Sequence, residues 1–80
     1  MFINKAKDGK NNLCGVKIAK KRKELGFSQR ELADRLQLIG LDVDKNAIQR
    51  IECGKRFVTD IELKALSETL KITVSDLLSL

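Results

Sequence analysis

Apolar residues recur along the chain at intervals of three and four, with charged and amide side chains between them, which is the period of helices packed on one side. Cys14, Ile18, Arg22 and Leu25 share one face with Ala19 beside them, while Lys17, Lys20, Lys21 and Lys23 lie elsewhere. This predicts a helix up to about Glu24, capped at Asn11 or Asn12 and stopped by Gly26. Leu32, Leu36 and Ile39 form the next stripe, flanked by Ala33. Ser28 and Glu31, three residues apart, make a capping box at its start, and Gly40 provides the stop. A third helix is expected from Asp44, with Val43 and Ile48 placed as a hydrophobic staple and Gly54 suited to the left-handed turn after Cys53. Thr59 and Glu62 form a second capping box, ahead of a stripe of Ile61, Ala65, Leu66 and Leu70. Thr73, with Asp76 three residues on, opens a last short helix carrying Leu77 and Leu78.

Composition narrows the fold. Proline is absent and aromatics make up only 4% of the chain, whereas Leu, Ile, Lys, Glu, Arg and Ala are abundant, so the expected fold class is all-α with five helices. Eighty residues hold one domain. Residues 1–12 read as a flexible basic arm and 13–80 as the folded domain. Cys14 and Cys53 are the only cysteines and there is no histidine, so a Cys/His zinc site fails on ligand count. Cys14 is expected in the core. Cys53 reads as a passive thiol near an exposed face, with redox sensing as the alternative. With no signal peptide pattern and no apolar run near the ~20 residues of a membrane span, the chain reads as cytoplasmic.

Charge points to a partner. Residues 1–30 carry nine basic and two acidic side chains, a balance of +7, and residues 31–80 carry seven and nine, a balance of −2. That asymmetry fits a polyanion on the N-terminal side without separating DNA from RNA or anionic lipid. On a wheel, the third helix places Ala47, Ile48 and Ile51 on one side and Lys45, Asn46, Gln49, Arg50 and Cys53 on the other. The second group has no carboxylate and holds donors that match base edges: Arg and Lys to guanine, Asn and Gln to adenine. By itself such a face also suits an ordinary solvated surface.

The segment Phe27 to Glu52, with the CGKR that follows, resembles the helix-turn-helix of the phage repressor and Cro-like family, the XRE family. The likeness rests on Gly26, Phe27, Ser28 and Gln29, then Glu31, Leu32 and Ala33, then Ile48, Ile51, Glu52, Gly54 and Lys55, and it spans roughly residues 15 to 78. It implies a five-helix, lambda-repressor-like domain. It also implies base reading by Lys45, Asn46, Gln49 and Arg50, and a phosphate contact from Gln29, whose backbone N–H stands at a helix N-terminus. Lys55 and Arg56 are expected against the phosphate backbone, although both also suit a helix C-terminus. Arg22 lies in the core-facing row and needs a partner, for which Glu52 is the candidate and an ion pair the implied arrangement. Snorkelling to solvent or DNA is the alternative for Arg22.

Lys17, Lys20, Lys21 and Lys23 read as solubilising surface with at most a supporting electrostatic role, and Lys5, Lys7 and Lys10 as a disordered arm or one that follows a groove. The stretch Gln37–Asp44, QLIGLDVD, departs from the family by about five extra residues, so the second helix is expected to run on to Ile39. No enzyme motif is recognisable, and no cofactor, metal or small-molecule ligand is implied. The expected function is sequence-specific binding of double-stranded DNA by a homodimeric transcriptional regulator, a repressor acting on a pseudo-palindromic operator. The rival is an antitoxin or other protein-interaction module of the same fold, for which Leu77, Leu78 and Leu80 offer an apolar tail that also fits the core.

Overall fold

The computed structural model describes residues 5–6 and 8–79. The expectations for Lys7 and Leu80 therefore lie outside the described residues. Five helices follow in order: α1 Gly15–Glu24, α2 Gln29–Leu38, α3 Lys45–Glu52, α4 Asp60–Leu70 and α5 Val74–Leu78. Their starts are set by side-chain caps. Ser28 with Glu31 and Thr59 with Glu62 close reciprocal capping boxes, and Asp44 and Thr73 accept from Ala47 and Asp76 N–H. α1 differs, because Cys14 at its N-cap offers no side-chain bond and Asn12 Oδ1 accepts from Gly15 N–H instead, at 2.8 Å.

The ends of α1, α2 and α3 share one device. After each, the next two N–H groups fold back on the last turn, as in Gly54 to Ile51 and Lys55 to Arg50, around a glycine at positive φ. α4 ends the same way with Lys71 in the left-handed region, at φ 56°.

Ile18, Leu32, Leu36, Ile48, Ile51, Leu66, Leu70 and Leu77 are fully enclosed, joined by Cys14, Ala33 and Val43. α3 packs on α2 and α1, α4 packs on both of these, and α5 closes against α4. Each fully buried leucine or isoleucine contributes about 1.5–3 kcal/mol, so this core carries the domain. Ala33, 2% exposed, is a small residue in the tight layer between α2 and its neighbours.

Three expected core positions are exposed instead. Ile39 is 53% exposed because α2 stops at Leu38 and Ile39 becomes its C-cap; Leu41 and Val43 turn inward in its place. Leu25 is likewise the C-cap of α1, beyond the last turn that touches the core. Ile61, 72% exposed, sits in the first turn of α4, where the inward position is taken by Glu62, with Leu63 packed beside it. The connection between α2 and α3 runs over Ile39–Asp44, turned by Gly40 and held by Gln37 Nε2 donating to the Val43 carbonyl at 2.7 Å.

Candidate nucleic-acid interface

α3 is strongly two-sided. Ile48 and Ile51 are enclosed and Ala47 is half-buried, so the opposite side, with Lys45, Asn46, Gln49, Arg50 and Cys53, faces solvent. The Glu52 carboxylate does not join that outer side. Arg22 holds it at two points, Nε to Oε2 at 2.7 Å and Nη2 to Oε1 at 3.1 Å, and both side chains are about nine-tenths buried. Gln29 Nε2 donates to the same Oε1 at 3.0 Å, and Arg22 Nη1 donates to the Phe27 carbonyl at 2.8 Å. The hydrogen bond to Glu52 raises the Arg22 pKa further, so this cation is permanent. The result is a polar staple joining α1, the start of α2 and the end of α3. Arg35 stacks over the Phe27 ring, 4.2 Å from its centroid, and steadies the same turn.

At the start of α2, Ser28 serves the N–H groups of Glu31 and Leu32, which leaves those of Gln29 and Arg30 without a partner in the helix. An exposed helix N-terminus of this kind favours an anion. Only the backbone N–H of Gln29 is open to an anion there, since its side chain is half-buried on Glu52.

Lys55 is exposed just past α3, and among the described residues no salt bridge engages Lys45, Arg50 or Lys55. These three cations are available to a partner. Arg56 is not equally free. Its guanidinium grips Glu62 at two points, 3.0 and 2.7 Å, which raises its own pKa and holds the Glu62 carboxyl below the usual carboxylate range. Glu62 was legible only as the partner of Thr59, and nothing in the spacing singles out Arg56 as its second partner.

Two more features escaped the sequence reading. Asn11 and Asn12, read as the end of the arm and the cap of α1, also bond to carbonyls at the end of α3 and just beyond it. Gly15 is buried where a methyl group would overlap the Ile51 carbonyl, so α1 and α3 touch backbone to backbone. Cys14 is enclosed, and burial pushes its thiol pKa up, whereas Cys53 is exposed. No described helix is long and apolar enough to cross a membrane.

A family model described as helix-turn-helix matches residues 18–77. The crystal structure of the clp gene regulator ClgR from Corynebacterium glutamicum superposes with a TM-score of 0.72 at 24% identity, covering 85% of this chain and 82% of that one. The restriction-modification controller protein C.AhdI from Aeromonas hydrophila gives 0.69 at 25% identity, with 79% and 88% covered. No significant match was found among curated proteins. The chain therefore belongs to the helix-turn-helix family, of the XRE type, and is a DNA-binding transcription regulator and not an enzyme.

Proposed function

We propose that this regulator recognises a specific duplex sequence, binding a pseudo-palindromic operator as a homodimer and repressing by occupying it. One observation carries the reading: the outer side of α3 presents Lys45, Asn46, Gln49 and Arg50 together, exposed and without a carboxylate, backed by the enclosed Ile48 and Ile51. In the major groove, Arg50 and Lys45 suit guanine O6 and N7, and Asn46 and Gln49 suit adenine N6 and N7. The first turn of α2 at Gln29 and the Lys55 ammonium flank that helix and fix its register on the phosphates. Arg56 contributes to the phosphate contact mainly through the segment it holds in place, because its guanidinium is engaged by Glu62.

For the homodimer, α5 offers Leu78, 40% exposed, beside the half-buried Val74. Two-fold symmetry then sets two half-sites one helical turn apart, about 34–36 Å. The gene regulator and controller protein to which the chain is similar support a regulatory role in the compartment that holds the DNA. Selection of bound sequences from a random duplex pool tests the proposal. It should enrich a two-fold symmetric site with half-sites one turn apart, and recovery of unenriched sequence would overturn it.

A further inference from the structure

α3 ends with carbonyls that have no partner inside the helix, as every helix does. Here Gly54 and Lys55 N–H fold back on the Ile51 and Arg50 carbonyls, and further donors to Ile51 and to the carbonyls just beyond the helix arrive from the segment before α1, about forty residues away in sequence. Asn12 Nδ2 donates to the Ile51 carbonyl at 3.0 Å and to the Arg56 carbonyl at 2.8 Å. Asn11 donates twice, its backbone N–H to the Gly54 carbonyl at 2.8 Å and its Nδ2 to the Lys55 carbonyl at 3.0 Å. Four carbonyls spanning residues 51 to 56 are thus tied to two adjacent asparagines. Lys10 lies over Gly54 closely enough that a methyl there would strike its side-chain stem. Gly15, next to the clamp, leaves no slack between α1 and the Ile51 carbonyl.

Both asparagines precede residue 18, where the family match begins. Neither touches the outer side of α3. What they hold is the backbone that carries Arg50 and Lys55, at the end of the helix nearest the predicted phosphate contact.

We propose that Asn12, seconded by Asn11, is a positioning residue for DNA recognition: it fixes the exit of α3 against α1 so that base-reading and phosphate-binding side chains engage in register. The inference rests on the base-reading role proposed above. A purely structural role for Asn12 is available, since its Oδ1 also caps Gly15 N–H at 2.8 Å, and the two roles separate by chemistry. Asn12→Asp keeps the acceptor that caps α1 and removes both donors to the α3 exit, placing a carboxylate beside two carbonyls. Asn11→Ala removes only the bond to Lys55, because Asn11 Oδ1 is buried without a partner and α1 does not depend on it.

Affinity for the selected duplex and for a random duplex is measured well below the melting temperature of each variant. Ala65→Gly, which weakens the middle of α4 without removing a charge or a side-chain hydrogen bond, serves as the control for lost stability. Asn12→Asp should lose about tenfold on the selected duplex and much less on the random one, and Asn11→Ala should move the same way by a few-fold. Ala65→Gly should leave the ratio of the two affinities unchanged. A wild-type ratio retained by both asparagine variants would reduce the clamp to a structural cap and overturn the positioning role alone. A ratio lowered as far by Ala65→Gly would do the same. A wild-type chain without sequence preference would overturn the base-reading role, and the positioning role with it.

Discussion

The two ends of α3 are held by different means. At its C-terminal end, Glu52 is gripped by Arg22 and Gln29, the asparagine pair ties the exit, and Arg56 anchors the next segment on Glu62 at the start of α4. Its N-terminal end has the Asp44 cap at 2.8 Å, the Val43 side chain enclosed in the core and one bond from Gln37 across the connection. Leu38 and Ile39, beside that connection, are 85% and 53% exposed. The helix is therefore pinned at the end bearing Arg50 and leads into Lys55, while Lys45 and Asn46 sit at the more lightly held end. Polar ties are directional, whereas apolar packing is not, so the pinned end is where side-chain aim is fixed most closely.

The strongest way to break that contrast is at Arg22. Arg22→Ala leaves the Glu52 carboxylate buried with Gln29 as its one remaining partner, and should cost about 3–5 kcal/mol in a urea titration. For a chain of this size such a loss approaches the whole stability. Arg22→Met combined with Glu52→Leu removes both charges and should recover most of the loss, yet it frees Gln29 from its partner.

Acid sharpens the contrast next. Because Arg56 depresses the Glu62 pKa, the unfolded chain binds the proton more readily, so this pair stabilises fully at neutral pH and its contribution is lost as pH falls through the carboxylate range. Glu62→Gln should be less stable than wild type at pH 7, and the gap should close in acid. Thermal melts across that range read it directly, and a gap that widens in acid would contradict the assignment.

The smallest effect belongs to the other end of the helix. Asp44→Ala should cost only about 1 kcal/mol, the usual value of one lost N-cap. If its urea midpoint fell as far as that of Arg22→Ala, the difference between the ends would not exist.

Local chemistry accounts for what the sequence disclosed. Ser28, Asp44, Thr59 and Thr73 announce helix starts because each satisfies an N–H only three residues ahead, and Gly26 and Gly54 announce ends by their tolerance of positive φ. Periodicity located the core but overran the helix ends: Leu25, Ile39 and Ile61 continue the apolar rows, yet at terminal turns no neighbouring helix covers them. Long-range polar ties were mostly hidden. Arg22 betrayed its need for a partner by standing in an apolar row, whereas Asn11, Asn12 and Arg56 stand in polar stretches, where a local role as cap or phosphate contact can be read but a distant partner cannot. The division of Gln29 between a backbone for an anion and a side chain for Glu52 likewise depends on helix crossing, which no local pattern encodes.

Arg50 offers the most direct test of what this frame is for. Affinities of wild type and Arg50→Ala for the selected operator and for a random duplex, at one salt concentration, should differ by about 1–3 kcal/mol on the operator and hardly at all on the random duplex. Equal losses on both would mean that Arg50 meets only phosphate, and that the outer side of α3 does not read sequence there.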